Sequence, residues 1–302
     1  MRIVVTGASG FVGSNLWGYL KDVQKDFILE SYNRSDGIQQ LQKIPSYSAI
    51  VHLAGKAHDL KNIADSSEYY SANFEFTKHI FNAFLQSSAE VFIFLSSVKA
   101  VADNFHGILE ETVKPSPQTH YGKSKLFAED FIMESLYSPN KRVYILRPSM
   151  IHGPGNKGNL NSLFKLVRSG IPWPLGRFVN KRSYCSIENI CFVIKELILR
   201  KEIPSGIYNV SDDSSVSTND IVDLIISELQ QAPKKINLPK SLVNLFLKGT
   251  DFFNLNFFRN IFEKLTGDFE VSNKKIKSVL NVNMPVDALE GLRKSIKSLN
   301  TK

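Results

Sequence analysis

A tyrosine and a lysine four residues apart form a pair that could move a proton. The segment "YGKSK" contains Tyr121 and Lys125, which would share one helix face if this part of the chain is helical. A phenol is a poor acid or base at neutral pH, but a nearby ammonium favours the phenolate and lowers its pKa. Tyr121 could then exchange a proton with a substrate. Because the same spacing is common on exposed helices, the pair needs support from other residues.

A serine at the end of an apolar run supplies a second polar group. The run "FIFLSS" is typical of a buried strand and ends with Ser96 and Ser97. Ligands of open α/β proteins bind at the carboxyl ends of the strands, so this hydroxyl would lie at the ligand edge. Serines are also common in turns. The order of Ser97 followed about two dozen residues later by Tyr121 and Lys125 favours a catalytic site.

Three glycines near the N-terminus predict a loop that binds the pyrophosphate of a dinucleotide. In "TGASGFVG" they follow a short apolar run and precede a helix-compatible stretch at residues 11–20. Strand, glycine turn and helix, in this order, place unpaired N–H groups and the positive end of a helix dipole beside the turn. This interpretation is favoured over a tight turn without a ligand. The predicted contacts are Gly7, Ser9, Gly10, Phe11, Val12 and Gly13.

The end of the second predicted strand bears on the choice of dinucleotide. A carboxylate there would bind the ribose hydroxyls of NAD. The strand "FILESYNRSD" instead presents Asn33 and Arg34, and Arg34 could pair with the 2′-phosphate of NADP. NADP is therefore favoured, although Glu30 and Asp36 keep NAD open because strand ends are uncertain by a few residues.

Apolar runs at regular spacing predict the architecture that positions these residues. Helix-length stretches separate the runs, a pattern typical of an α/β protein with a doubly wound parallel sheet. The predicted strands are residues 27–32, 49–53, 91–95 and 143–146, followed by a helix at 187–199 and a last strand in "GIYNVSD".

The loops "GPGNKGN" and "GIPWPLG" interrupt this pattern after Pro148 and mark the start of a smaller lobe. We predict a Rossmann-like dinucleotide-binding domain of residues 1–155 plus about 185–212. Residues from about 156 to 184 plus 213–302 would form a C-terminal lobe that binds the substrate.

Composition limits the other classes of function. The 302 residues are 43% hydrophobic, with no apolar run long enough to span a bilayer and no signal-peptide pattern, so we expect a cytoplasmic protein. The net charge of +8 comes from scattered basic residues, which favours solvated surfaces over nucleic-acid binding. Cys185 and Cys191 lack partners at metal-binding spacing, so we expect buried thiols and no metal.

The segment Leu242–Leu265 is rich in phenylalanine. Charged residues interrupt its apolar positions, which favours packing within the lobe or self-association over a peripheral membrane contact. A homodimer is therefore left open.

The motifs together resemble the extended branch of the short-chain dehydrogenase/reductase superfamily, which includes nucleotide-sugar epimerases, dehydratases and ketoreductases. The similar segments are "TGASGFVG", "VHLAG", "ANFEFT", "LSS", "YGKSK" and "LRPSMIHGPGN", and the resemblance covers nearly the whole chain. It implies that Ser97 orients the reacting oxygen and that Tyr121 is the general acid/base. It also implies that Lys125 lowers the tyrosine pKa and binds the nicotinamide ribose.

The resemblance implies further contacts with cofactor and substrate. His52 would lie on the cofactor side, although it is equally well an ordinary strand histidine, and Asn73 would support the architecture of the site. Arg182 would reach the diphosphate of a nucleotide sugar, unless it is only a surface charge. The implied cofactor contacts are Leu53, Ala54, Gly55 and Lys125, and the implied substrate contacts are Ser97, Tyr121, Asn159, Leu160 and Arg182.

The resemblance implies an NAD(P)-dependent enzyme that acts at C4 of a nucleotide-linked sugar, most similar to bacterial enzymes for UDP-hexosamines. Reduction of a UDP-4-keto-6-deoxy-hexosamine for surface polysaccharide is favoured, and a UDP-sugar 4-epimerase with retained NAD is the alternative. A dehydratase is disfavoured because Val98 and Lys99 stand where that group carries acidic residues. The retained Ser97, Tyr121 and Lys125 disfavour a non-catalytic dinucleotide sensor.

Overall fold

A six-stranded parallel sheet forms the centre of the molecule. The computed structural model describes residues 1–36, 46–57, 66–156, 158–230, 235–239 and 262–300, together with Leu41, Ile44, Ser241 and Val243. The sheet contains β1 (Arg2–Thr6), β2 (Ile28–Tyr32), β3 (Ala49–His52), β4 (Val91–Leu95), β6 (Arg142–Pro148) and β9 (Gly206–Val210). Their order is β2-β1-β3-β4-β6-β9, so the chain reverses its direction of winding between β1 and β3. Ligands of such sheets bind at this reversal, beyond the carboxyl ends of the strands.

Shorter strands and nine described helices complete the fold. The short strands are β5 (Ile108–Leu109), β7 (Met150–His152), β8 (Tyr184–Ser186) and β10 (Glu270–Val271). The helices are α1 (Phe11–Val23), α2 (Ser66–Tyr70), α3 (Phe76–Gln86), α4 (His120–Glu134), α5 (Asn159–Arg168), α6 (Ile187–Leu199), α7 (Thr218–Leu229), α8 (Lys274–Leu280) and α9 (Ala288–Asn300). A π-helical turn, Ser71–Glu75, joins α2 to α3.

Helices cover both faces of the sheet, as the sequence predicts. Alternate strand residues point to opposite faces, so Ile3 and Val5 pack against α1 and α6, whereas Val4 packs against α3 and α4. Strands buried on both faces are typical of parallel sheets. The predicted doubly wound α/β architecture is confirmed, and α6 has the predicted bounds.

A second buried core lies between α5, α7 and α9, beyond the loops that follow β6. A polar network joins this lobe to the sheet. His152 on β7 contacts the Ser295 hydroxyl on α9 through Nδ1 at 3.0 Å and Asp212 through Nε2 at 3.3 Å. These three side chains are almost fully buried, so they connect the two parts of the chain and are closed to a substrate.

Most of the phenylalanine-rich segment lies outside the described residues, namely Phe246, Phe252, Phe253, Phe257 and Phe258. Phe262 is described, and its ring lies edge-on to Phe178 with 5.2 Å between the centroids, against the second core. For the rest of the segment, packing within the lobe stays a prediction.

The two cysteines are buried and free, as expected. Burial raises the pKa of the Cys191 thiol to about 12, so neither a thiolate ligand nor a nucleophile is available there at neutral pH. In the described part of the chain, no helix is long and apolar enough to cross a membrane.

Candidate active site

Two glycines shape the loop between β1 and α1. Gly7 has a φ of +69°, and a Cβ atom at this position would lie 2.8 Å from the backbone of Ala54. A Cβ on Gly13 would lie 2.1 Å from the carbonyl oxygen of Gly7, so α1 approaches the loop closely. The loop is thus a cradle that side chains would fill, as the sequence predicts for a phosphate-binding turn.

The N-terminus of α1 opens onto this cradle. Gly10 is the N-cap residue and has no side chain to satisfy the first N–H groups of the helix. Ser9 and Gly10 are exposed, whereas Phe11 and Val12 pack against the core of the sheet. The residues present therefore fit a dinucleotide whose pyrophosphate accepts hydrogen bonds from the first turn of α1.

The two carboxylates that could have bound an NAD ribose already have partners. Glu30, within β2, forms an ion pair with Arg2 at 3.6 Å. Asp36 accepts a hydrogen bond from the backbone N–H of Asn33 at 2.7 Å. The strand ends before Asn33 and Arg34, so these two residues stand at its carboxyl end as predicted.

The loop after β3 connects the glycine turn with the residues that follow in the site. The backbone N–H of Ala54 donates to the Thr6 hydroxyl at 3.1 Å. A Cβ on Gly55 would lie 2.7 Å from Asn73 Oδ1 and 3.1 Å from Lys125 Nζ. Leu53, Ala54 and Gly55 therefore lie between the glycine loop and Lys125, where the resemblance predicts the cofactor.

His52 supports this architecture from inside the protein. Its Nδ1 lies 2.7 Å from the Thr6 hydroxyl and its Nε2 lies 2.9 Å from the Thr77 hydroxyl. The Thr77 hydroxyl donates to the carbonyl of Asn73 at 2.6 Å, so it must accept from His52, and Nε2 therefore carries the proton. Burial lowers the pKa of His52 to about 3, which keeps the ring neutral. Because the ring is fully buried, a direct cofactor contact is closed to it.

Ser97 and Tyr121 lie together at the carboxyl edge of the sheet. Ser97 follows β4 and caps a 3₁₀ turn, where its Oγ accepts the N–H of Lys99 at 3.2 Å. Tyr121 is in the first turn of α4, whose N-cap Thr119 accepts the N–H of Gly122. Burial raises the pKa of Tyr121, and a hydrogen bond with Ser97 opposes this shift. The phenol is therefore protonated at neutral pH.

The sequence predicts that Lys125 lowers the pKa of Tyr121, but in the structure the Lys125 ammonium is bound elsewhere. Its Nζ donates to the carbonyl of Leu95 at 2.8 Å and lies 4.7 Å from the centroid of the Phe94 ring. The groups that shift the Tyr121 pKa are its burial, Ser97, Glu129 and Tyr69, with a net increase. The physical reason is that burial disfavours the phenolate while the ammonium is bound to the strand end.

A buried ion pair behind Lys125 was not predicted. Glu129 on α4 and Arg147 on β6 are 1% and 3% exposed and bind through more than one hydrogen bond. The signal in the sequence is that Glu129 follows Lys125 by four residues, on the face that also carries Tyr121. Its arginine partner lies 18 residues further along, and no local pattern links the two.

Apart from Ser97 and Tyr121, the residues predicted to bind substrate lie in the second lobe. Arg182 donates from Nη1 to the carbonyls of Lys264 and Gly267, at 3.1 and 3.0 Å. Asn159 is the first residue of α5. The side chain of Leu160 is buried in the second core, so only its backbone can face a ligand.

Lys99 lies in the turn capped by Ser97, and the sequence singled it out only as a position where dehydratases carry an acidic residue. Its Nζ donates to the carbonyl of Asp103 and lies 5.1 Å from the centroid of the Phe269 ring. Burial lowers the pKa of Lys99, and although Asp103 opposes this, Arg182 and Lys264 add to it. Lys99, two residues after Ser97, is therefore within electrostatic reach of two cations of the second lobe.

Comparisons with known proteins identify the family and the fold. A sequence profile described as the NAD dependent epimerase/dehydratase family matches residues 3–211. A UDP-glucose 4-epimerase of Vibrio cholerae is 30% identical, over 97% of this chain and 94% of that protein. Two solved structures, RMD from Pseudomonas aeruginosa complexed with NADPH and MoeE5 in complex with UDP-glucose and NAD, each cover 100% of this chain and 99% of their own. At 18% identity, their TM-scores of 0.75 and 0.76 show a shared Rossmann-like fold.

The profile extends from β1 to just beyond β9 and includes the glycine loop, Ser97, Tyr121 and Lys125. It covers more than half of the chain, and the epimerase relative covers nearly all of it. The resemblance seen in the sequence is confirmed. The chain therefore belongs to the NAD dependent epimerase/dehydratase family, the extended short-chain dehydrogenase/reductases that act on nucleotide sugars.

Proposed function

We propose that the chain is an NADPH-dependent 4-ketoreductase that reduces a UDP-4-keto-6-deoxy-hexosamine, a precursor of surface polysaccharide. The observation that carries the proposal is the protonated phenol of Tyr121 beside the Ser97 hydroxyl. Reduction of a ketone needs a proton donor, whereas oxidation of an alcohol needs a base. At neutral pH the Tyr121 phenol carries its proton, which it can donate to the oxygen of a ketone.

Each residue of the site has a defined part in this reaction. The nicotinamide, when bound, supplies the hydride that reaches C4 of the keto sugar. Tyr121 donates its proton to the C4 oxygen, and Ser97 stabilises the charge that develops there through a hydrogen bond. The Ser97 oxygen accepts the N–H of Lys99, which leaves the Ser97 hydrogen for the Tyr121 oxygen or for the sugar oxygen. We infer that the Lys125 ammonium, which lies beside Gly55, would hold the nicotinamide ribose, as the resemblance implies.

The convergence of Lys99 and Arg182 supports a substrate with a diphosphate. Lys99 Nζ lies 5.1 Å from the centroid of the Phe269 ring, and the backbone of Arg182 pairs with the backbone of Phe269. A guanidinium binds phosphate oxygens in a planar, bidentate arrangement, which suits Arg182 to that role. We infer that the backbone of Asn159 and Leu160, at the start of α5, lies beside the same diphosphate.

The end of β2 supports NADPH as the cofactor. Glu30 lies within the strand and pairs with Arg2, and Asp36 lies in the following turn and accepts the N–H of Asn33, so Asn33 and Arg34 are the residues directly at the strand end. The Arg34 guanidinium carbon lies 5.5 Å from the centroid of the Phe76 ring, which places a cation beside the strand end. We infer that Arg34 binds the 2′-phosphate.

Arg34→Ala is expected to weaken NADPH binding by about tenfold to a hundredfold, because it removes a charge-assisted phosphate contact. NADH binding is expected to change by less than about twofold, since NADH has no 2′-phosphate. Titration of both nucleotides, followed by protein fluorescence, measures these affinities. Arg34→Lys serves as the control and should keep part of the preference. Tighter binding of NADH by the parent, with no loss of NADPH affinity in Arg34→Ala, would show that the enzyme uses NAD.

A 4-epimerase is the second candidate, and the Vibrio cholerae relative supports it. An epimerase oxidises the C4 alcohol, lets the keto sugar turn and returns the hydride to the other face. It would use Ser97, Tyr121 and Lys125 in the same positions. The two activities differ in whether oxidised cofactor leaves the protein.

An assay with two substrates separates these candidates. The purified protein is first examined for bound dinucleotide. It is then supplied with UDP-4-keto-6-deoxy-HexNAc and NADPH, or with UDP-GlcNAc or UDP-glucose and no cofactor. We expect loss of one NADPH per keto sugar reduced, as measured by absorbance at the nicotinamide band. Inversion at C4 of the intact sugar without net change in the cofactor would identify an epimerase.

We also infer that the chain divides near the predicted boundaries, with residues 1–155 plus about 185–212 as the dinucleotide-binding domain. The separate buried cores around the sheet and in the second lobe support this division. Three residues of the C-terminal part depart from this division, because they pack against the core of the sheet: Ile276, Leu280 and Met284.

A further inference from the structure

A third charged residue lies on the helix face that carries Tyr121 and Lys125. Glu129 follows Lys125 by four residues in α4, so the three side chains form one row. Its side chain is 1% exposed, and no step of the proposed reduction uses it. A buried carboxylate is costly to keep ionised unless it is paired, so its presence here needs an explanation.

Hydrogen bonds from two neighbouring strands hold the Glu129 carboxylate in place. Arg147 on β6 donates from Nε to both carboxylate oxygens, at 3.1 and 3.0 Å, and from Nη2 to Oε2 at 2.5 Å. Ser96, directly after β4, donates its hydroxyl to Oε1. A buried ion pair of this kind often adds little to stability, because desolvation offsets the attraction. Stability alone therefore does not account for the pair.

The ammonium of Lys125 is the catalytic charge closest to this pair along the helix. Burial lowers the pKa of Lys125 to about 8, and Glu129 acts in the opposite direction. Without a neighbouring negative charge, a lysine that is 3% exposed would lose its proton more readily still. The proposed role of Lys125 requires the charged form.

The other ionisable groups around Lys125 do not supply this negative charge. His52 on β3 is neutral, Tyr121 on the same helix keeps its proton, and Arg147 on β6 is itself a cation. Among the residues that the structure describes, Glu129 is the one anion found to act on the Lys125 ammonium.

We propose that the Glu129–Arg147 pair keeps the lysine of the catalytic site in its charged form. Glu129 holds Lys125 as an ammonium, while Arg147 and Ser96 hold the Glu129 carboxylate in place. The proposal rests on the function proposed above only in the statement that Lys125 works beside Tyr121. A pair that only joined α4 to β6 would leave the protonation of Lys125 unchanged. Measuring that protonation therefore separates the two roles.

The experiment follows the titration of Lys125 by NMR in the full chain without cofactor or substrate. Lysine is labelled with ¹³C at Cε, and the Lys125 signal is identified by its absence in Lys125→Met. In the parent we expect a midpoint at about pH 8. In Glu129→Gln the midpoint is expected to fall by about one pH unit, because the ammonium loses its partner charge. Glu129→Gln/Arg147→Gln leaves no buried arginine unpaired and should show a smaller fall in the same direction, because it also removes the Arg147 cation.

Two further variants act as controls. Asp212→Asn removes another buried carboxylate, which binds the backbone of Ser186 and the amide of Asn189 at 2.8 and 2.7 Å. It is expected to lower stability without moving the Lys125 midpoint. Glu129→Asp keeps the negative charge and should titrate closer to the parent than Glu129→Gln does.

An unchanged midpoint in either folded variant that lacks the Glu129 charge would overturn the proposal. A parent midpoint below about pH 6 would do the same without any variant, because Lys125 would then be neutral in the working enzyme. The titration uses neither cofactor nor substrate. If the reductase assay failed, the result of the Lys125 titration would still hold. If the titration failed, the reductase activity would still be decided by the reductase assay.

Discussion

Replacing Tyr121 by phenylalanine is expected to lower turnover by about 10² to 10⁴-fold, the usual contribution of a positioned proton donor. The change removes the hydroxyl that Ser97 faces and keeps the ring, which lies edge-on to Tyr69 with 6.4 Å between centroids. The fold and the dinucleotide cradle should therefore persist, and NADPH affinity should stay within about twofold of the parent. Steady-state rates with the keto sugar and a separate NADPH titration measure the two effects.

Tyr144→Phe is the matched control, because it also removes the hydroxyl of a buried tyrosine. The Tyr144 hydroxyl donates to the carbonyl of Ile203 at 2.8 Å, in the half of β6 away from the ligand edge. Its loss is expected to cost about 1 kcal/mol of stability and to leave turnover nearly unchanged. Turnover of Tyr121→Phe within about threefold of the parent would remove Tyr121 from the chemistry.

The parts of the fold that depend on local signals could be predicted from the sequence. The apolar run before the glycines forms β1, and α1 begins at Phe11, directly after Gly10. The helix at residues 187–199 has the predicted bounds because its cap Ser186 and its apolar periodicity are both visible in the sequence. Strand, turn and helix signals in this order were sufficient to predict the shape of the glycine loop between β1 and α1.

The surroundings of Asn73 could not be predicted, because its partners lie far away in the chain. Its Nδ2 donates to the carbonyl of Lys56 and to the Ser124 hydroxyl, at 3.0 and 2.9 Å. The residue lies in a π-helical turn, which has no periodic signature in a sequence and often marks a functional site. The expectation that Asn73 supports the site came from the family resemblance alone.

Electrostatic effects in the site also depend on packing that spacing does not reveal. The four-residue spacing of Tyr121 and Lys125 predicts a lowered tyrosine pKa, whereas burial raises it in the structure. The cause is tertiary, because the Lys125 ammonium binds the carbonyl of Leu95 at the end of β4. Glu129 shares a helix face with both residues, but its partner Arg147 is on a strand.

Gly13→Ala is expected to weaken NADPH binding by at least about 30-fold. The new Cβ would lie 2.1 Å from the carbonyl oxygen of Gly7 and 2.7 Å from the Cα of Ala8, so backbone must move. Overpacking of this kind costs typically about 2 kcal/mol, and a loop displaced to relieve it no longer presents its N–H groups to the pyrophosphate. Fluorescence titration with NADPH measures the loss, and thermal unfolding measures the accompanying fall in stability.

Gly18→Ala on the same helix separates this clash from a general effect of adding a methyl group to α1. Apart from its chain neighbours and the nearby backbone of its own helix, no described atom lies within 4 Å of the position where its Cβ would stand, and the residue is exposed. Alanine is favoured over glycine inside a helix by about 1 kcal/mol, so Gly18→Ala should be slightly more stable than the parent and bind NADPH equally well. If Gly13→Ala bound NADPH as tightly as Gly18→Ala, the close approach of α1 to the glycine turn would not be what shapes the cofactor site. Weaker binding in Gly13→Ala and unchanged binding in Gly18→Ala, five residues further along the same helix, would locate the pyrophosphate at the start of α1.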